Sequence, residues 1–150
     1  MNGLRIHVRE KRFDGKPVLG ECTIEAAPGE FIALVGPSGA GKSTLLSLVA
    51  GLDEDYDGEI TWNGEPLSNR GESPAHMGMM FQEPRLMPWL STLDNVRLAE
   101  AERMARDANY HSNANRLLEE VGLGDATAFW PNHLSGGMQR RVALARAFVV

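Results

Sequence analysis

The sequence is poor in cysteine, has no long apolar run and carries no excess of positive charge. Its single cysteine, Cys22, excludes an intramolecular disulfide and fits a reducing compartment; packing is the role expected of it. No stretch approaches the ~18–20 consecutive apolar residues that cross a bilayer, so a soluble chain is expected, with any membrane role exercised through a partner. Met1 to Glu10 holds Arg5, Arg9 and Glu10 but no apolar segment, so no targeting sequence is expected there. Lys plus Arg number 15 against 20 Asp plus Glu, a net charge of −5, which offers no basic face to nucleic acid or anionic lipid. The 150 residues suggest one domain.

What the chain does have is concentrated in Phe31 to Ala50. Gly36-Pro37-Ser38-Gly39-Ala40-Gly41-Lys42-Ser43-Thr44 fits G-x-x-x-x-G-K-[ST], the phosphate-binding loop. The run Phe31-Ile32-Ala33-Leu34-Val35 before it has the length and composition of a buried strand. Leu45, Leu46, Leu48 and Val49 after it recur at helical spacing, and Gly51 follows where a helix C-terminus favours positive φ. A loop between strand and helix is the context the motif requires. Triphosphate oxygens need many donors at short range. Gly36, Gly39 and Gly41 let successive backbone N–H groups turn inward, and the helix adds its free N-terminal amides and positive dipole end. Lys42 places a point charge against the β and γ phosphates, and the Ser43 hydroxyl suits Mg²⁺, a cation of oxygen ligands and retained waters. The alternative, a glycine-rich turn with no ligand, leaves the full spacing unexplained.

The rest of the chain reads in order. Leu4, Ile6 and Val8 alternate with Arg5, His7 and Arg9, the pattern of an edge strand. Asp14-Gly15-Lys16-Pro17 is a turn and Cys22 to Glu25 a second strand. Phe13, on the loop between them, is either a hairpin core residue or a platform for a base, since every base has a π-face. Pro28-Gly29 punctuates before the phosphate-loop strand. Gly58 to Trp62 followed by Asn63-Gly64 predicts a strand into a tight turn, and Asn69 to Pro74 a polar loop. Met77 to Phe81 predicts a buried strand with Gln82 at its end. Ligands of open α/β sheets lie beyond the carboxyl ends of strands, which places Gln82 near a nucleotide unless it is a solvated loop residue. Pro84 to Pro88 is irregular, and Thr92 is a candidate cap for a helix from Leu93. From Val96 to Val121 the composition turns alanine-rich and helical, with Leu117, Leu118 and Val121 as an apolar face and Gly122 ending it. Leu134-Ser135-Gly136-Gly137-Met138-Gln139-Arg140-Arg141 precedes a last helix. Ser135 suits its N-cap, and Gly136 and Gly137 leave amides open at a second anion-binding terminus, unless this is simply a capped helix. The resulting layout is a β subdomain and phosphate-loop core (1–83), an inserted helical subdomain (84–133), and a last helix led by the Ser-Gly-Gly segment (134–150).

Three elements coincide in one order: the phosphate loop, Phe81-Gln82, and Leu134-Ser135-Gly136-Gly137. In this the chain resembles, over nearly its whole length, the nucleotide-binding domain of ATP-binding-cassette (ABC) proteins. The resemblance implies an α/β fold: a phosphate-loop NTPase core whose mixed sheet carries an N-terminal antiparallel β subdomain, plus an inserted α-helical subdomain. It implies ATP and Mg²⁺ as ligands. Phe13 would stack on adenine. Gly36, Pro37, Ser38, Gly39, Ala40, Gly41, Lys42, Ser43 and Thr44 would hold the phosphates, with Ser43 and Gln82 at the metal. Gln82 would also touch the attacking water and sense the transport partner, and Lys42 and Gln82 would act in catalysis. Ser135, Gly136 and Gly137 would bind the γ-phosphate held by a second nucleotide-binding domain, in a head-to-tail homodimer.

The implied partners are transmembrane permease subunits and, indirectly, a substrate-binding protein, with no nucleic acid; the implied location is the inner face of the cell membrane. Phe81 to Val96 is similar to importers of the nitrate, sulfonate and taurine type and would present a surface to a coupling helix, unless Leu86 and Trp89 are only local packing of the helical subdomain. A non-transport cassette ATPase of DNA repair or translation, a binding-only nucleotide module, and a phosphate-loop kinase or GTPase stay open as alternatives; the last leaves Leu134–Gly137 unexplained. Met138 stands where the signature commonly has glutamine. The family pattern continues with an apolar strand ending in the Walker B Asp, a catalytic Glu and later a switch His. None of these falls within the chain: His7, His76, His111 and His133 all precede that region and are expected to be surface or packing residues. The apolar, uncapped Ala147-Phe148-Val149-Val150 adds to the expectation that about the last third of a domain is missing, and that this chain alone turns over ATP very slowly, because a positioned base contributes ~10²–10⁴-fold.

Overall fold

The structure, a computed structural model, describes residues 3–67, 77–101 and 111–149. The polar loop expected at Asn69–Pro74, His76, and the part of the helical stretch at 102–110 lie outside the described residues. The chain forms two compact units, Met1–His76 and Met77–Val150.

The first unit is an antiparallel sheet with one helix. Its strands are β1 (Leu4–Phe13), β2 (Lys16–Leu19), β3 (Cys22–Ala26), β4 (Asp57–Trp62) and β5 (Glu65–Pro66). The order is β2-β1-β4-β5, with β3 also paired to β1. β1 is therefore central rather than an edge. Its first half pairs with β3 from Leu4↔Ala26 to Val8↔Cys22, its second half with β2 from Lys11↔Leu19 to Phe13↔Lys16, and its other side with β4. The alternation seen in the sequence fixes which face is apolar: Ile6 and Val8 are buried with Ile60 of β4. It does not reveal how many neighbours a strand has. The Asp14-Gly15 and Asn63-Gly64 dipeptides both take positive φ, as tight hairpin turns require.

Helix α1 (Lys42–Val49) lays Leu45 and Leu48 on the sheet, in one cluster with Ile6, Val8, Leu19 and Ile60. Each such side chain contributes about 1.5–3 kcal/mol through burial. Gly51 closes the helix as expected, with φ +68 and its N–H donated to the Leu48 carbonyl. The strand expected at Phe31–Val35 is not formed. The run has no ladder hydrogen bonds, and Phe31 and Val35 are 91% and 94% exposed. A strand exists only where a neighbour takes its N–H and C=O groups, and no described strand lies beside this run.

The second unit is helical. It contains α2 (Thr92–Arg97), α3 (Ala114–Glu120) and α4 (Gly136–Phe148), with 3₁₀ turns at Leu98–Glu100, Gly124–Ala126 and Pro131–His133. Val96, Leu118, Leu123, Leu134, Val142 and Ala145 form its core. Leu118 is the buried member of the expected apolar face, with Leu117 and Val121 packed beside it, and Gly122 ends α3 with φ +71. The cap of α2 is Ser91, which accepts from the Asp94 N–H at 3.1 Å. Thr92, expected as the cap, is instead buried and donates its hydroxyl to the Phe129 carbonyl at 3.0 Å. Two adjacent hydroxyl residues compete for such a cap, and a tertiary partner took one of them. Met77–Phe81, expected as a buried strand, carries no ladder either and is largely exposed, for the same reason as Phe31–Val35.

Candidate functional site

The phosphate loop is bent by its glycines. Gly39 and Gly41 have φ +83 and +85, the left-handed region that costs a side-chain-bearing residue about 1–2 kcal/mol. Gly41 carries a second constraint. A Cβ there would stand 2.3 Å from Leu19 Cδ2 and 2.9 Å from the Val18 carbonyl oxygen, so the absence of a side chain lets the loop lie on β2. Gly41 is also the N-cap of α1, without a side-chain cap and with no acidic residue in the first turn. The positive end of the helix is thus left to the loop and to solvent. The Lys42 ammonium crosses the loop and donates to the Gly36 and Pro37 carbonyls, both at 2.7 Å. Gly36, Pro37, Ser38, Gly39, Ala40 and Ser43 are exposed, and Thr44 half-buried.

The donor set suits a hard cation. Ser43 offers an exposed hydroxyl in the first turn of α1. Among the described residues no group of three or more His, Cys, Asp or Glu gathers into a metal site. An ion at Ser43 would take its other ligands from phosphate oxygens and water, the habit of Mg²⁺. Gln82 is an exposed residue of the second unit, on a bend rather than at a strand end.

Phe13 is the last residue of β1, not a loop residue, because the β1–β2 hairpin runs on to Phe13↔Lys16. Its ring is 48% exposed. The rung Lys11↔Leu19 of the same hairpin reaches Gly41 through the Leu19 side chain. Phe13 therefore lies about 10 Å along β2 from that contact, three residues at ~3.3 Å each, so aromatic and loop are held on one strand pair.

Lys11 went unremarked in the sequence. It is 2% exposed, and its ammonium donates to Asp53 Oδ1 at 2.8 Å and the Asp55 carbonyl at 2.5 Å. Burial works to lower its pKa, but the hydrogen bond and charge of Asp53 prevail and raise it. In return the Lys11 hydrogen bond holds the Asp53 carboxyl below the usual range. Strict alternation could not have revealed Lys11, since between Val8 and Glu10 β1 advances two residues against one of β4, which shifts the inward phase onto Lys11.

In the second unit Ser135 caps α4, its Oγ accepting from the Met138 N–H at 3.3 Å. Ser135, Gly136 and Gly137 are exposed, and a Cβ at Gly136 would meet nothing within 4 Å. The residue after Met138 does the holding: Gln139 Nε2 donates to the Pro131 and Leu134 carbonyls at 2.8 and 3.3 Å. This pins the segment that leads into the cap.

Comparison with known proteins places these features. The family model described as ABC transporter matches residues 19–150. The aliphatic sulfonates import ATP-binding protein SsuB of Cupriavidus necator is 48% identical over 98% of this chain, which spans 47% of that protein. The protein of the same name in Bacillus subtilis is 41% identical over 96% of this chain, which spans 56% of it. The chain thus spans about half the length of the curated relatives it matches. Among solved structures, one described as the structure of the ATP binding subunit of an ABC transporter superposes with a TM-score of 0.81 at 29% identity, covering 99% of this chain and 62% of that one. With its phosphate loop and its Ser135-capped signature helix, this chain belongs to the ABC transporter family and carries the sequence of its ATP-binding domain.

Proposed function

We propose that the chain binds Mg·ATP and is the ATP-binding part of an importer, coupled to transmembrane permease subunits on the inner face of the cell membrane and served indirectly by a substrate-binding protein. What carries the reading is the loop at α1: two left-handed glycines, a helix N-terminus that no side chain caps, and the Lys42 ammonium lying across the loop carbonyls. The β and γ phosphates would draw Lys42 from the Gly36 and Pro37 carbonyls, exchanging two neutral acceptors for anionic ones, which add charge–charge attraction to each hydrogen bond. Phe13 would take the base, and Ser43 with Gln82 the Mg²⁺. When bound, the ion neutralises the charge that develops on the phosphates. Exposed Ser135, Gly136 and Gly137 support closure over the γ-phosphate of a second copy, head to tail, because one loop and one signature in a single chain need a partner to complete two sites. The relatives named for aliphatic sulfonates import favour a small organic sulfonate as cargo of the parent transporter. The division into 1–83, 84–133 and 134–150 belongs to the same reading.

Hydrolysis is proposed for the assembled transporter, with this chain supplying phosphate donors, the lysine and the glutamine and turning over ATP only slowly by itself. Calorimetric titration with Mg·ATP tests the binding step. Lys42→Ala is expected to abolish it, and equal curves for the two proteins would refute it. A steady-state phosphate release near ~1 s⁻¹ by this chain, an ordinary enzyme rate, would refute the slow-turnover part.

A further inference from the structure

The side chains of Lys11 and Phe13 share one face of β1, two residues apart. The Lys11 ammonium stands 4.5 Å from the centroid of the Phe13 ring. The same ammonium is fastened at its other side to Asp53 and to the Asp55 carbonyl, on the segment that follows α1. Its side chain is 1% exposed, that of Asp53 22% and that of Asp55 94%, so Asp53 is the partner that matters. The arrangement joins three things: the helix that begins at the phosphate loop, a buried cation, and the half-exposed aromatic ring at the end of the hairpin. A buried ion pair is a costly way to fill space, and an apolar residue of similar volume is often as stable or more so. The cation is explained better by what it touches than by what it stabilises.

We propose that Lys11 is a positioning residue for the nucleotide base: it fixes the Phe13 ring through its face and ties that ring, by way of Asp53, to the end of the phosphate-loop helix. The inference rests on the reading of Phe13 as a base platform. A ring held in place spends less ordering entropy when a base stacks on it, and a cation within about 6 Å of a ring centroid attracts the ring's face directly. Because Asp53 follows α1, the base platform and the loop keep a fixed separation.

The test separates base from phosphates. The full chain and its Phe13→Ala, Lys11→Met, Asp53→Asn and Phe13→Ala/Lys11→Met forms are titrated calorimetrically with Mg·ATP and, separately, with inorganic tripolyphosphate. Phe13→Ala is expected to weaken ATP about tenfold, within the range of base–aromatic stacking. Lys11→Met should weaken ATP about three- to tenfold and leave tripolyphosphate within about twofold. It should add nothing once Phe13 is gone. Asp53→Asn, which keeps the lysine but loosens its anchor, should show the same selectivity in smaller measure and serves alone if Lys11→Met does not fold. Equal losses for ATP and tripolyphosphate would make Lys11 a merely structural residue and overturn the proposal. A loss with Phe13→Ala but none with Lys11→Met or Asp53→Asn would overturn it while leaving Phe13 as the platform. No loss with Phe13→Ala would remove the platform reading and the Lys11 role with it. Binding of neither ligand by the unaltered chain would remove the nucleotide reading altogether.

Discussion

Arg146 Nη2 donates to the Pro84 carbonyl at 2.7 Å, and its Nη1 to the Arg85 carbonyl at 3.0 Å. One guanidinium thus ties the helix that begins at Ser135 to the bend just past Gln82. Arg85 itself has φ +46 and lies 4.3 Å over the Phe81 ring, so Gln82 sits between residues that are held on both sides.

Arg146→Ala is expected to free that bend. Hydrogen bonds from charged donors contribute about 1.5–3 kcal/mol each when partners are left unsatisfied. Two are lost here, partly compensated by water at an incompletely buried site, so a net loss of about 1–3 kcal/mol is expected. A lower urea midpoint and faster exchange of the Leu86 and Met87 amides would show it; an unchanged midpoint would mean that the bend is held by other contacts.

Asn95 is fully buried and does the work of several backbone partners. Its Oδ1 accepts from the Met87 N–H at 2.7 Å, and its Nδ2 donates to the Met87, Leu90 and Ser91 carbonyls at 3.0–3.1 Å. Asn95→Leu leaves these groups without a partner in the interior and is expected to cost about 2–4 kcal/mol. Asn95→Asp should also destabilise, since a carboxylate cannot donate to three carbonyls. Chemical denaturation distinguishes this from a loop that tolerates change, for which both variants would match the parent.

Gly78 lies against the end of α4: a Cβ there would stand 1.7 Å from the Ala147 carbonyl oxygen and 2.6 Å from its carbon. Both are backbone atoms and cannot turn away. Gly78→Ala is therefore expected to lower stability by at least ~1–3 kcal/mol and to expose the core around Val142 and Val149 to dye binding. A neutral result would show that the 77–81 segment moves aside at no cost.

The Lys11–Asp53 pair sets a pH window. Asp53 has a folded-state pKa below its unfolded value, so its stabilisation is present above about pH 4 and is lost as pH falls through the folded pKa. Lys11 has a folded-state pKa above its unfolded value, so its stabilisation is present below about pH 10 and is lost as pH rises through the folded pKa. Asp53→Asn should cost stability at pH 7 and approach the parent near pH 2–3, where the parent carboxylate is itself protonated. Parallel curves from pH 7 to pH 3 would show that Asp53 does not titrate against Lys11.

The readings that succeeded from sequence were local ones. Asn63-Gly64 and Gly51 are where the turn and the helix end were expected, because φ preference is a property of the residue itself. Ser135 caps its helix because a hydroxyl reaches its own backbone three residues on. The bend of the Gly36–Thr44 loop could be read for the same reason: Gly39 and Gly41 take the positive φ their type allows. The readings that failed all concerned partners. Phe31–Val35 and Met77–Phe81 have strand composition, yet a strand is completed only by a neighbour. The alternation of Leu4, Ile6 and Val8 told the face but not that β1 lies between three other strands.

By itself, then, the sequence determined the bend of the Gly36–Thr44 loop, the Ser135 cap, the glycine turns and the family to which the chain belongs, since each is written in short contiguous stretches whose geometry is local. Only the tertiary structure decided that Lys11 is buried over Phe13, that Arg146 holds Pro84, and that Asn95 rather than a turn sequence orders the loop before α2. Those roles depend on which distant backbone comes within hydrogen-bonding reach, and bulges and crossings, not residue preferences, set that distance.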